Sequence, residues 1–290
     1  MSDGTVLVRE HPSSCEDWWP APQELLRRAR GENFVVASLL VGKRTARHLR
    51  AVYLFARLVD ECGDSAPGER LLALDRVESE LNRAASGSSR DPVFRELGET
   101  MRECELPRSA LARLIEANRE DQRRPEYETY DELLAYCDLS ANPVGELVLH
   151  VFGAATPARI ALSNSVCTAL QLIEHWQDVR EDALHGRIYL PGEDRRRFGV
   201  ERLDLVQDRA GEPLRRLLEL EAHRAAELLS DGARLVATLS GRARLAVAGY
   251  VGGGHATLAA IERAGYDVLA AVPRASKLQR TIATGRVLAT

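Results

Sequence analysis

Helical periodicity is the feature that most constrains the fold of this chain. Apolar residues recur at helical spacing in segments separated by short Pro- or Gly-containing breaks, and no useful length alternates apolar and polar residues as a strand would. The longest segment runs from Pro157, a residue favoured in the first turn of a helix, to about Leu184 without an internal Gly or Pro. The pattern predicts an all-α fold.

The remaining segments divide the chain into an arm and one domain. Residues 1–20, with prolines around Trp18 and Trp19, are predicted to be an irregular N-terminal arm, and residues 21–290 a single all-α domain. Further helices are expected near 23–30, 45–62, 69–86, 91–104, 107–122, 129–137, after 142–143, and near 201–208, 211–230 and 241–264.

Composition excludes several classes of protein. The net charge of −4 provides no basic surface for nucleic acid, so no nucleic-acid partner is expected. No run of about 20 apolar residues is present, and the first residues lack the apolar core of a signal peptide. Five cysteines without paired spacing favour a reduced, cytoplasmic protein. Peripheral contact with the inner face of a membrane and contact with neighbouring pathway enzymes stay open.

The first of two acidic stripes lies in the predicted helix 45–62. Tyr53, Arg57, Asp60 and Asp64 follow each other at offsets of 0, 4, 7 and 11, which places them on one helical face. Asp60 and Asp64 are one turn apart, where like charges repel, and they crowd a helix C-terminus whose dipole is already negative.

The second stripe has a closely similar spacing and lies in the longest helical segment. Gln171, Glu174, Asp178 and Asp182 lie at offsets of 0, 3, 7 and 11. A single acidic stripe is more often a solvated face. Two matched stripes favour a shared cation instead, and ligands that are all oxygen suit Mg²⁺ bridging carboxylates to phosphate. The implied substrate is a diphosphate.

At these residues the sequence resembles the squalene and phytoene synthase family. The resemblance covers about residues 32–277 and rests on E-N-F (32–34), Y-L-F-A-R-L-V-D-E-C-G-D (53–64), Y-C-D-L-S-A-N-P-V-G (136–145) and Q-L-I-E-H-W-Q-D-V-R-E-D with G-R-I-Y-L-P (171–191). The segments look most like the hopanoid-pathway branch, the hydroxysqualene synthases.

The resemblance implies a helical isoprenoid synthase fold with a central cavity. Asp60 and Asp64 would face Asp178 and Asp182 and hold Mg²⁺ and diphosphate, and Tyr53 completes the implied catalytic set. The substrate-binding residues implied by the resemblance are Phe34, Arg57, Asp121, Tyr136, Ala141, Val144, Gly145, Gln171, Glu174, Arg187, Tyr189, Arg274 and Lys277.

Three departures from the family pattern concern the reaction. Glu174 stands where many members carry Asn, and Gln177 replaces an arginine that phytoene and dehydrosqualene synthases place before the aspartate. The G-G-G run at 252–254 falls where carotenoid-type synthases have a tyrosine. The missing ring is expected to leave space near the reacting carbons for a water molecule.

The resemblance predicts a Mg²⁺-dependent enzyme that converts presqualene diphosphate and water into hydroxysqualene and diphosphate, with no NADPH. One alternative is a head-to-head prenyl synthase that makes presqualene diphosphate, squalene or phytoene. An alternative of another class is a catalytically silent assembly subunit. The four intact aspartates disfavour the silent subunit, since such a protein need not keep them paired.

Overall fold

The computed structural model of the chain describes residues 19–28 and 42–289. The predicted substrate-binding residue Phe34 and most of the predicted arm lie outside these residues. Within them no strand is formed, and the only β-type contact is an isolated bridge between Glu126 and Ile188. The predicted all-α fold is confirmed.

The helices follow in chain order with short connections. They are α1 (Pro22–Arg28), α2 (Lys43–Asp64), α3 (Arg70–Ala85), α4 (Pro92–Cys104), α5 (Arg108–Arg123), α6 (Tyr130–Ser140), α7 (Asn142–Val151), α8 (Pro157–Gln177), α9 (Val179–Leu184), α10 (Gly192–Phe198), the 3₁₀ helix Arg202–Val206, α11 (Glu212–Thr238), α12 (Gly241–Arg263) and α13 (Lys277–Ala289).

Local side-chain chemistry sets several of these starts. The Asp91 carboxylate accepts from the backbone N–H groups of Val93 and Phe94 at the N-terminus of α4. At α6, Thr129 and Glu132 form a capping box, in which each side chain accepts from the other residue's backbone N–H. These caps satisfy N–H groups that a helix cannot pair internally.

Apolar side chains form two clusters. One joins α2, α3, α4 and α5, where the rings of Phe55 and Phe94 meet edge to face with their centroids 6.0 Å apart. The other surrounds α8 and includes side chains from α6, α11 and α12, and Trp176 of α8 is fully buried. Both helices that carry the acidic stripes are therefore anchored by burial on their opposite faces.

The structure differs from the predicted helices at four places. The helix predicted near 201–208 is a short 3₁₀ helix, Arg202–Val206. The predicted helix 157–184 is interrupted at Asp178, whose φ of −102° and ψ of 14° separate α8 from α9. Helix α10 forms in a segment where no helix was predicted, and it ends at Gly199 in the left-handed conformation. Helix α13 was not predicted, because none of its residues is buried and its apolar pattern is weak. No described helix is long and apolar enough to cross a membrane.

Candidate active site

A cavity of about 340 Å³ lies where α2 and α5 approach α6, α7 and α8. Both acidic stripes contribute to its wall. The lining residues are Ala56, Asp60, Asp64, Leu114, Ala117, Asn118, Asp121, Tyr136, Ser140, Val144, Gln171, Glu174, His175, Asp178, Asp182, Arg187 and Tyr189. One part of the wall is acidic and another is built from small apolar side chains.

The first aspartate pair is held by residues from distant parts of the chain. The Asn118 amide on α5 donates to the Asp60 carboxylate at 3.3 Å. The Arg187 guanidinium donates to the Asp64 carboxylate at 2.8 Å. Burial disfavours the charged form of Arg187, but its hydrogen bond to Asp64 and the charge of Asp121 outweigh burial and raise its pKa. Arg187 is therefore a fixed positive charge beside the carboxylates.

The second pair lies on both sides of the helix interruption. Asp178 terminates α8, and Asp182 lies one turn later in α9. Burial raises the pKa of Asp178, and repulsion from Asp182 and Glu181 adds to the shift. The carboxylates at this position therefore repel one another where burial already disfavours the charged form.

Two tyrosine hydroxyls converge on one carboxylate deeper in the wall. Tyr136 donates to Asp121 at 2.9 Å, and Tyr189 donates to the other oxygen of Asp121 at 3.4 Å. Burial raises the pKa of Asp121, although the charge of Arg187 opposes the shift. Burial also raises the pKa of both tyrosines, so their hydroxyls stay protonated and act as donors.

His175 packs inside the same wall. Its ring stacks on Tyr189 with a centroid separation of 3.6 Å and an interplanar angle of 15°. One ring nitrogen lies 3.1 Å from the Gln171 amide nitrogen, and the other lies 3.8 Å from an Asp182 oxygen. His175 thus connects the second acidic stripe to the tyrosines around Asp121.

Six of the implied residues that the structure describes do not line the cavity. Tyr53 is buried in α2, and Arg57 pairs with Glu61 at 2.9 Å. Ala141 is buried at the start of α7. A Cβ atom at Gly145 would lie 2.3 Å from Ser163 Oγ, so this glycine allows α7 to approach α8 closely.

The other two are the implied basic residues Arg274 and Lys277. Arg274 is exposed, and its charge is among the influences that lower the pKa of Asp178. Lys277 is exposed at the first position of α13.

The glycines at 252–254 do not open a gap beside the cavity, contrary to the sequence-based expectation. Gly252 lies against the backbone of Thr284 in α13, and Gly254 lies against Leu170 and Leu229. Only Gly253 has open space around its Cβ position, and none of the three lines the cavity.

Several lining residues were not identified from the sequence. Asn118 reaches Asp60 from 58 positions away, and no local pattern marks that contact. His175 is buried and lines the cavity, but it was not identified from the sequence as a site residue. Ala56, Leu114 and Ala117 lie in helices whose apolar spacing is the same for core and for cavity residues.

Comparison with known proteins identifies relatives over most of the chain. Residues 27–281 match the family described as squalene/phytoene synthase. A phytoene synthase of Mycobacterium tuberculosis is 34% identical over 225 residues, which are 76% of this chain and 74% of that protein. A hydroxysqualene synthase of Sinorhizobium fredii is 34% identical over 211 residues, 71% of each chain.

Solved structures share the fold. The squalene synthase HpnC from Alicyclobacillus acidocaldarius is 43% identical and superposes with a TM-score of 0.79, covering 84% of this chain and 94% of that one. A dehydrosqualene synthase crystallised with a ligand is 25% identical, with a TM-score of 0.81 over 93% of this chain and 98% of that one.

Proposed function

Because this chain belongs to the squalene/phytoene synthase family, we propose that it is a Mg²⁺-dependent hydroxysqualene synthase of hopanoid biosynthesis. It would convert presqualene diphosphate and water into hydroxysqualene and diphosphate in the cytoplasm. The observation that carries the proposal is that two aspartate pairs and Arg187 share one cavity with small apolar side chains. Such a cavity suits a substrate with a strongly charged end and a long apolar chain.

The donor set of the cavity fits Mg²⁺. Asp60, Asp64, Asp178 and Asp182 supply only oxygen ligands, and the raised pKa of Asp178 reflects burial and the repulsion that a cation would relieve. Among the described residues no three acidic, His or Cys side chains are placed to hold a metal by themselves. This arrangement suits Mg²⁺, which commonly combines one or two carboxylates with water and substrate phosphate. When bound, it would neutralise charge on the departing diphosphate.

The chain's own residues would orient the diphosphate end. Arg187 offers a planar guanidinium that can contact two phosphate oxygens, and its pairing with Asp64 holds it at the cavity wall. Tyr136 and Tyr189 are fixed through Asp121, so they form an ordered part of the cavity wall. His175 stacks on Tyr189, which holds that ring in place.

The apolar part of the cavity would control water. Ala56, Leu114, Ala117 and Val144 offer no hydrogen-bonding side chain, so bulk water is disfavoured beside them. Cleavage of the carbon–oxygen bond leaves the electron pair on diphosphate and a cation on the hydrocarbon. One admitted water then forms the new carbon–oxygen bond, and its proton passes to diphosphate or solvent. No hydride is transferred, so NADPH is not required.

The second candidate function is head-to-head condensation of two prenyl diphosphates. The phytoene synthase of Mycobacterium tuberculosis, which is as similar to this chain as the hydroxysqualene synthase of Sinorhizobium fredii, favours it. Incubation of the purified protein with presqualene, farnesyl or geranylgeranyl diphosphate, each with and without Mg²⁺ and NADPH, separates the two. Consumption of presqualene diphosphate, but not of farnesyl or geranylgeranyl diphosphate, supports the first function. Consumption of only the simple prenyl diphosphates supports the second.

A further inference from the structure

The last helix and the loop before it differ in charge from the rest of the chain. Residues 270–289 contain Arg274, Lys277, Arg280 and Arg286 and no acidic residue, in a protein whose net charge is −4. This segment, which we call the basic face, therefore concentrates four positive charges on one loop and helix α13.

The basic face also exposes large apolar side chains. Val272 is 42% exposed, Leu278 69% and Ile282 47%, and no residue of α13 is buried. Leu278 and Ile282 are four positions apart and so lie on one side of the helix. Exposed apolar side chains flanked by cations are typical of helices that lie in a membrane interface.

A groove of about 670 Å³ runs along α13 where it faces α11 and α12. Ile282 lies at this groove, and its charged lining residues are Arg263 and Arg286. No acidic side chain is among the described residues that line it. The groove therefore adds apolar surface and a fifth cation to the same side of the molecule.

The basic face packs against α12 and begins beside the candidate active site. Gly252 of α12 approaches the backbone of Thr284 so closely that a Cβ atom would lie 2.5 Å from its nitrogen. The Gln177 amide, one position before Asp178, donates to the carbonyl of Pro273. A partner bound by α13 would therefore lie close to the acidic cavity.

We infer that loop 270–276 and α13 dock this protein onto bilayers that contain anionic phospholipids. Leu278 and Ile282 would enter the interface while Arg286 and its neighbours contact lipid phosphates. A second copy of the chain fits less well, because a symmetric contact would bring the same four cations together. The inference goes beyond the proposed reaction and does not depend on it.

Flotation with vesicles tests the surface without any substrate. The full chain should float with vesicles of phosphatidylcholine and phosphatidylglycerol, and binding should weaken as salt is raised. Vesicles of phosphatidylcholine alone should retain much less protein. Arg286→Gln should weaken binding about fivefold, which corresponds to about 1 kcal/mol for one cation near an anionic surface.

Paired variants separate the basic face from general surface effects. Leu278→Asp with Ile282→Asp should lower vesicle binding at least about tenfold, since two apolar contacts are lost. Leu203→Asp is the matched control, because Leu203 is 73% exposed but lies in the 3₁₀ helix. Arg95→Gln, on the exposed side of α4, is the control for Arg286. Circular dichroism would verify that all variants remain folded.

Three results would overturn the inference. The first is wild-type protein that fails to float with anionic vesicles at low salt. The second is equal binding by the Leu278/Ile282 double variant and by the Leu203 control. The third is a dimer that this double variant converts to monomer while vesicle binding is unchanged, which would assign the face to a second copy. None of them bears on the reaction, which is measured with soluble substrate in detergent.

Discussion

The Arg187 guanidinium donates a 2.8 Å hydrogen bond to the Asp64 carboxylate across 123 positions of sequence. This contact joins the first acidic stripe to the segment that follows the second. It also places a permanent cation inside a wall of carboxylates. A diphosphate that enters the cavity would meet Arg187 already oriented.

Replacing Arg187 should therefore impair turnover more than folding. Arg187→Met should lower kcat about a hundredfold, because one preorganised contact to the leaving group is lost. Steady-state kinetics would measure the change. Arg180→Met is the control, since Arg180 lies on α9 but pairs with the exposed Asp208. Equal losses in both variants would contradict a specific role for Arg187.

The aspartates should be required for metal-linked stability as well as for activity. In the wild type, Mg²⁺ with inorganic diphosphate should raise the free energy of unfolding by about 2.7 kcal/mol at one hundred times Kd. Asp60→Asn or Asp178→Asn should abolish both this gain and turnover. Without Mg²⁺ these variants should melt no lower than the wild type, because repulsion is relieved.

Asp208→Asn is the control for this experiment, because Asp208 is an exposed acid outside the cavity. It should keep the full thermal shift. Undiminished activity in EDTA would disprove the metal requirement.

Glu221 should make stability fall as pH rises. Burial raises the pKa of this carboxyl to about 8, and Asp194 adds to the shift while Arg224 opposes it. The folded state then binds a proton that the unfolded state releases above its ordinary pKa, so the free energy of unfolding decreases from about pH 4.5 to about pH 8. Urea unfolding across this range should show a smaller decrease for Glu221→Gln. Glu227→Gln, exposed on the same helix, should leave the wild-type slope unchanged.

Replacement by Ala should affect the free energy of unfolding differently at Gly252 and Gly253, two neighbouring glycines of α12. Gly252→Ala should lower the free energy of unfolding by about 1–3 kcal/mol, because its Cβ meets the backbone of α13. Gly253→Ala has no atom within 4 Å of its Cβ and should be neutral or stabilising by up to about 1 kcal/mol. Thermal denaturation of both variants would measure this difference. Equal effects would argue against the close contact between α12 and α13.

Helical spacing predicted much of the site. Asp60, Asp64, Asp178 and Asp182 line one cavity, as their matched offsets suggested. The spacing was less informative for the first stripe, where Arg57 pairs with Glu61 and is not among the residues that line the cavity. Periodicity assigns a face to each residue but does not say how far along that face a cavity extends.

Contacts between distant segments could not be predicted. The stack of His175 on Tyr189 and the hydrogen bond from Asn118 to Asp60 depend on how helices pack. No Gly or Pro lies at the helix interruption at Asp178, so the sequence did not predict it. Gly254 illustrates the reverse error, because a missing side chain suggested space that Leu170 and Leu229 occupy.

Isotope labelling tests the proposed reaction most directly. Purified protein, presqualene diphosphate and Mg²⁺ would be incubated in H₂¹⁸O without NADPH, and the product analysed by mass spectrometry. We expect hydroxysqualene carrying one ¹⁸O, because water is the nucleophile that captures the cation. Formation of unlabelled squalene only when NADPH is added, or an inert presqualene diphosphate with consumption of farnesyl or geranylgeranyl diphosphate, would contradict it.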